Sequence, residues 1–264
     1  MKIIKKSNLI HSISIKHKDI GFVPTMGALH QGHISLIKKS KEKSKKTIVS
    51  IFVNPKQFNK KKDFITYPNN LQNDLSICKK LKVDYVFIPN TQEIYRWNDK
   101  KTLTPKINNI MEEKFRKGHL NGVLAVMSKF LSIIKCSKIY MGKKDYQQLN
   151  LIKNLIKLNK IKCSIVACKT IRMKNGGALS SRNLLLSNDA LLVIGKVYRF
   201  LKLYKKNGGK LSLVRSELRK IGVKKIDYIK LINLLTFKEV KKISSNTNIF
   251  IAYYLNGVRL IDNF

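Results

Sequence analysis

From residue 19 to about 170, short apolar runs rich in β-branched residues alternate with stretches of helical spacing. That alternation limits the fold more than any other feature of the chain. "DIGFVP" (19–24), "TIVSIFV" (47–53), "VDYVFIP" (83–89), "KIYMG" (138–142) and "KCSIVACKT" (162–170) predict short buried strands. Between them lie "HISLIKKSKEKSKK", "NNLQNDLSICKKLK" with Leu71, Leu75, Cys78 and Leu81 at helical spacing, "NGVLAVMSKFLSIIK" and "DYQQLNLIKNLIKLNK". Strand alternating with helix implies a parallel sheet with helices on both faces, hence an α/β domain. Ligands of such sheets sit beyond the carboxyl ends of the strands. Three polar stretches, "PTMGALHQGH", "NPKQF" and "GKKDYQQ", begin at such ends.

After "MKNGGALSSRN" the texture changes. "SNDALLVIGKVYRFLKLYKK" and "KLSLVRSELRKIG" read as helices and "KIDYIKLIN" as a strand. "NIFIAYYLNGVRLIDN" is two apolar runs around Asn256-Gly257, a hairpin signal. The expected organisation is a first domain over residues 1–183 and a smaller α+β domain over 187–264.

Composition narrows the class. The chain has 264 residues and no apolar run of about 18, so no membrane-spanning helix is indicated. Its first twenty residues lack the pattern of a secretory signal. The cysteines at 78, 136, 163 and 168 form no C-x-x-C pair and no zinc spacing, which suits free thiols in a reducing cytoplasm. Against 54 basic residues stand 15 acidic ones, a net +39. Nucleic-acid binding is one reading of that excess. The other is drift toward lysine, whose A/T-rich codons resemble those of the abundant Ile and Asn. Lysines are spread along the whole chain and only eight residues are arginine, the usual base reader, so drift is preferred and no specific nucleic-acid partner is expected.

The chemistry-bearing residues stand at the strand ends. In "TMGALHQGH", glycines allow close backbone approach, and a helix starting near His33 would aim N–H groups at an anion. His30 and His33 can donate to phosphate oxygens and stabilise the charge that develops as an α-phosphate is attacked. Surface histidines in a loop are the bland alternative, and a metal site lacks a nearby third ligand. "GGALSSRN" (176–183) offers glycines, hydroxyls and Arg182 for phosphates, or else is an interdomain linker. "MGKKDYQQL" offers Lys144 and Asp145, then Gln147 and Gln148, or else a helix start capped by Asp145. "SIFVNPKQF" ends in Asn54 and Gln57, neutral amides suited to a small hydroxy acid, or else a polar Asn-Pro turn.

Seven stretches in order, "VPTMGALHQGH", "VSIFVNPKQF", "YPNNLQNDL", "RKGHLNGV", "YMGKKDYQQL", "ALSSRN" and "RLIDN", together resemble the pantothenate synthetase (pantoate–β-alanine ligase) family. The resemblance runs from about residue 20 to the C-terminus and thins between 190 and 245. It implies a Rossmann-like catalytic domain, a small C-terminal domain that closes over the site, and a homodimer. It also implies ATP as co-substrate with Mg²⁺, and D-pantoate and β-alanine as the molecules joined. By this resemblance Met26, Gly27, Ala28, Leu29, His30, Gln31, Gly32 and His33 line the ATP site, with His33 as proton donor and His30 beside it. Gly142, Lys143, Lys144, Asp145, Ile171, Leu179, Ser180, Ser181 and Arg182 complete the ATP contacts, while Gln57 and Gln148 hold pantoate, Gln57 next to β-alanine. Gln31 and Lys143 stand where the family usually has acidic residues, and Asn121 where arginine is common. None of the three exchanges alters the two histidines, Gln57, Gln148 or Arg182.

The expected function is therefore a two-step ligase. Pantoate attacks the α-phosphate of ATP, and the amine of β-alanine then displaces AMP. The alternatives are a related adenylyl- or cytidylyltransferase that stops after nucleotide transfer, and a basic nucleic-acid-binding protein whose enzyme site has decayed.

Overall fold

The apolar runs of the first 170 residues assemble into one parallel sheet. The computed structural model describes residues 1–59, 61–98 and 102–264. In chain order the first part contains β1 (Lys2–Ile4), α1 (Ser7–Lys16), β2 (Ile20–Thr25), α2 (Gln31–Lys43), β3 (Lys46–Ile51), α3 (Lys61–Ile65) and α4 (Leu71–Lys80). Then follow β4 (Tyr85–Phe87), α5 (Thr91–Tyr95), α6 (Met111–Phe115), α7 (His119–Ile133), β5 (Lys138–Gly142), α8 (Tyr146–Leu158) and β6 (Ser164–Cys168). Among the described residues the strand order is β1-β4-β3-β2-β5-β6, every pair parallel.

Successive strand residues point to opposite faces, and here both faces are apolar. Phe22, Ile48, Phe87 and Ile139 enter one cluster with Ile10 of α1, Val123, Met127 and Phe130 of α7, and Ile152 and Leu155 of α8. Their neighbours Val23, Val49, Val86 and Tyr140 enter a second cluster with Leu36 and Ile37 of α2 and Cys78 of α4. Helices therefore cover both faces, as expected from sequence. Leu71 is the exception to the expected α4 stripe. It lies at the helix's first residue and is exposed.

From β2 the chain moves outward one way through β3 and β4, and the other way through β5 and β6. The order reverses between β2 and β5, and a crevice opens beyond their carboxyl ends at such a switch point. The loops that leave those two ends are the polar stretches of the histidines and of Lys144. A third polar element, a 3₁₀ turn at Pro55–Gln57, follows β3. It touches α7 backbone to backbone. A Cβ on Gly122 would fall on the Lys56 carbonyl, so only glycine allows this crossing.

The chain divides into two compact units, Met1–Lys169 and Thr170–Phe264. The second contains α9 (Asn188–Asn207), α10 (Leu211–Lys220), β7 (Lys225–Asn233), β8 (Thr247–Leu255) and β9 (Val258–Asn263), with the strands antiparallel in the order β7-β8-β9. Asn256 and Gly257 both have positive φ, +47° and +75°, as a two-residue hairpin turn requires. Ile194, Val197, Leu201, Val214 and Leu218 of the helices pack with Ile229, Leu231, Ile249 and Ile251 of the sheet.

The division falls earlier than the expected 183/187 boundary. Asn175 donates to the Leu191 carbonyl, Gly176 lies against the Tyr198 ring, and an arginine adds the charged contact. Arg172 pairs bidentately with the buried carboxylate of Asp262 on β9 (2.7 and 3.0 Å) and donates to the carbonyls of Gly176 and Asn263. Residues 170–183 are thereby tied to the second unit. No described helix is long and apolar enough to cross a membrane.

Candidate active site

At the carboxyl end of β2 the chain makes a tight turn before α2. Gly27 and Ala28 both have positive φ, +84° and +50°, and glycine adopts that conformation without steric strain. Most backbone N–H groups of this turn are already used. Gly27 donates to Thr25 Oγ1 (3.2 Å), Ala28 and Leu29 donate to the two oxygens of Asp74 (2.9 and 2.7 Å), and His30 donates to His33 Nδ1 (3.3 Å). Gly32 donates to His30 Nδ1 (3.0 Å). The expectation that free main-chain N–H groups here would cradle an anion is thus corrected for these residues.

What the turn offers instead is its two rings. α2 starts at Gln31, earlier than expected, with His30 as N-cap in an extended conformation. The pair forms a reciprocal cap, each imidazole satisfying a helix-end N–H that would otherwise lack an intrahelical acceptor. Because each Nδ1 accepts, the proton of each neutral ring sits on Nε2. The ring centroids are 4.2 Å apart with the planes tilted by 38°. Two N–H donors therefore stand side by side at the switch point.

Both rings are held neutral. Burial, then the Lys144 ammonium, lowers the pKa of His30 to about 4, although Asp145 opposes it. Burial, His30 and Lys144 lower that of His33 to about 3. Lys144 lies in the short 3₁₀ turn Lys143–Asp145 that leaves β5, 3.8 Å from Asp145 Oδ1. The structure thus brings the Met26–His33 turn and the Gly142–Asp145 turn together, two N–H donors beside an ammonium. Asp145 precedes α8 without capping it through its side chain.

The amides divide into working and supporting groups. Asn54 is fully buried. Its Oδ1 accepts from Lys56 N and the Tyr95 hydroxyl, and its Nδ2 donates to the Gly122 carbonyl. It fastens the Pro55–Gln57 turn to α7, so the expectation of a substrate-binding amide at 54 is corrected. Gln57 is largely buried, and its carbonyl accepts from His119 Nδ1 (2.8 Å). Gln147 is buried and clasps α6, accepting from Glu112 N and donating to the Ile110 carbonyl. Gln148, one residue on, is partly exposed at the start of α8.

In the second unit, Ile171 and Leu179 are neighbours, the Leu179 N–H donating to the Ile171 carbonyl (3.0 Å) across a small hairpin. Ser180 caps the 3₁₀ turn Ser181–Leu185, its hydroxyl accepting from Arg182 N (3.3 Å), while Asn183 accepts from Ser180 N. "GGALSSRN" is therefore a built loop and not a linker.

Sequence reading overlooks Asp74 and His119. Both lie in stretches that carry the family resemblance, "YPNNLQNDL" and "RKGHLNGV", yet each acts on a segment far away in sequence. Asp74 sits beside Leu75 inside its helix, and His119 follows Gly118 as the first residue of its own, positions that carry no local signal of those contacts.

The family model of pantoate-beta-alanine ligases matches residues 2–264. This chain belongs to the pantoate–β-alanine ligase family. A curated pantothenate synthetase from Francisella tularensis subsp. mediasiatica is 43% identical over 263 residues, covering 99% of this chain and 95% of the relative. A crystal structure of pantoate-beta-alanine ligase from Francisella tularensis, complexed with beta-gamma ATP and beta-alanine, is 42% identical. It has a TM-score of 0.86 and covers 100% of this chain and 97% of its own. The pantothenate synthetase of Thermus thermophilus is 28% identical with a TM-score of 0.92, covering 100% and 99%. The activity of the chain is that of the family: ligation of pantoate to β-alanine in pantothenate biosynthesis.

Proposed function

We propose that the paired imidazoles and Lys144 carry the first half of an ATP-driven ligation through a pantoyl adenylate. The observation behind it is the reciprocal cap, which gives His30 and His33 the same tautomer with both Nε2–H groups available. The pantoate carboxylate attacks the α-phosphorus, the bond to the β,γ-diphosphate breaks, and pyrophosphate leaves. Charge grows on phosphate oxygens, where N–H donors and an ammonium stabilise it most. The resemblance makes His33 a proton donor; in our reading it acts instead as a neutral hydrogen-bond donor, since no proton moves in this step. Gln57 and Gln148 hold pantoate, and no enzyme nucleophile is required because positioning supplies the rate. The amine of β-alanine then attacks the acyl carbon, the C–O bond to AMP breaks, and the ammonium proton is lost to solvent as the amide forms.

Met26 to His33 and Gly142 to Asp145 are the first unit's nucleotide-binding elements. Ile171 and Leu179–Arg182 are the second unit's, with Arg182, Ser180 and Ser181 directed to phosphates. Among the described residues no group of three or more His, Cys, Asp or Glu stands together as a metal site. Mg²⁺ enters with ATP as the counter-ion of its phosphates. The working assembly is a homodimer, which sedimentation would test.

The experiment is pyrophosphate release from Mg-ATP with pantoate present or absent and β-alanine withheld, then added. Release requiring pantoate, followed by AMP and pantothenate on adding β-alanine, is the expected result. Pantoate-independent release would remove the adenylate from the scheme.

A further inference from the structure

Asp74 is an acid where burial is costly. It is fully buried in the first turn of α4, and a carboxylate leaves water only when its oxygens find other donors. Both do. Oδ2 accepts from Ala28 N (2.9 Å) and Oδ1 from Leu29 N (2.7 Å), across 46 and 45 residues of sequence. The helix end it occupies favours negative charge. The two residues before Leu29 are consecutive left-handed ones, and for Ala28 that conformation costs on the order of 1–2 kcal/mol. Space is also closed on that side, for a Cβ on Gly27 would lie 2.9 Å from Oδ2. The turn cannot hold this shape on backbone preference alone. The next residue in the chain is His30, whose extended backbone starts the reciprocal cap.

We propose that Asp74 is a positioning residue for adenylation: its carboxylate clamps the Gly27–Leu29 turn and so aims the Nε2–H groups of His30 and His33. This rests on the reading of those two groups as phosphate donors. Two adjacent N–H groups converge on one side chain, and only a carboxylate has acceptors on both arms. Asparagine would turn its NH₂ toward one of the donors and open the turn.

The test compares Asp74→Asn with Cys78→Ala, which removes a buried thiol one turn along the same helix. Three readouts are taken: melting temperature, steady-state pyrophosphate release, and ¹⁵N tautomer spectra of the imidazoles. Asp74→Asn is expected to lower kcat about 10²-fold, the scale of a misplacement near 1 Å. Its KM for pantoate should stay within about twofold, with His30 and His33 shifting from the pure Nε2–H tautomer to a mixture. Cys78→Ala should lose activity only in proportion to its unfolded fraction, with tautomers unchanged. Equal loss in both variants with unchanged tautomers would overturn the proposal, leaving Asp74 a purely structural acid. Altered tautomers with full activity would instead sink the reading of the histidines as phosphate donors.

A second measurement needs no variant. In the native protein the Ala28 and Leu29 amides should exchange slowly both free and with β,γ-imido-ATP bound. Amides that exchange fast when free and become protected only on binding would show that the turn grips phosphate itself, and Asp74 would not be its clamp.

Discussion

Two loops of this protein are organised by charges of opposite sign, one fully buried and one partly buried. In the first unit an anion, Asp74, gathers backbone N–H groups of the 26–33 turn. In the second a cation, Arg172, gathers the carbonyls of Gly176 and Asn263 and is balanced by Asp262. Arg172 also stacks over the rings of Tyr198 and Phe264, at 4.8 and 5.2 Å. The first arrangement consumes donors from a loop assigned to bind an anion and leaves the task to two side chains. The second consumes acceptors, and the N–H groups of Leu179, Ser180 and Arg182 are likewise spent inside the loop. Side chains thus hold both loops, an anion in one and a cation in the other.

The contrast can be broken at the second loop with the greatest effect. Asp262→Asn removes the buried partner of a bidentate pair whose arginine is partly exposed, and such losses cost up to about 3–5 kcal/mol. Urea unfolding should show that loss, and limited proteolysis should show cleavage between 172 and 183. Unchanged stability would mean the clasp does not carry the loop.

His33→Ala comes next. Loss of one preorganised donor lowers turnover by about 10²–10³-fold. The fold should survive because the ring is partly exposed and its structural duty is one helix-end bond. Near-normal pyrophosphate release would remove His33 from the chemistry.

Ser180→Ala deletes a cap from the second loop and should cost about 1 kcal/mol, read as a lowered melting temperature. A shift as large as that of Asp262→Asn would overturn the ranking of clasp over cap.

The effect that is smallest at neutral pH is on pH dependence, and it belongs to the first unit, which holds all five histidines of the sequence. The unfolded chain protonates His30 and His33 near the ordinary value of 6.5, whereas the folded state resists until about 4 and 3. The unfolded state therefore binds more protons over that interval, and stability falls as pH falls through it. His30→Gln should flatten the slope of melting temperature against pH between about 6.5 and 4. An unaltered slope would show that the ring is not held neutral.

Much of this is legible in the sequence where the signal is local. Strands β2 to β6 stand out because both their faces are apolar, and the β8–β9 hairpin because Asn-Gly suits a turn with two positive φ values. β1 and α1 are not legible in the same way. β1 is three residues long and acquires its meaning only by pairing with Tyr85–Phe87. The site is legible as residue types at strand ends, and its two turns do meet at the switch point. What stays hidden is which polar group faces inward. Gln147 and Gln148 are adjacent in sequence, yet the first is committed to α6. Asn54 resembles a binding amide until its partners on α7 and α5 are seen. Asp74 looks like the polar side of a helix, because a periodic pattern marks apolar positions and says nothing of a carboxylate that turns in to meet a loop 45 residues away.

The reciprocal cap has one more consequence, for selectivity against metals. An imidazole ligates a divalent transition-metal ion through an unprotonated nitrogen. To free Nε2, the proton of His30 would have to move to Nδ1, where it would face the Gly32 N–H. The same exchange in His33 would set its Nδ1–H against the His30 N–H. Each ring would trade a hydrogen bond for a donor–donor clash. Ligation of a metal through both Nε2 atoms, two imidazoles one turn apart, would therefore cost both hydrogen bonds of the reciprocal cap.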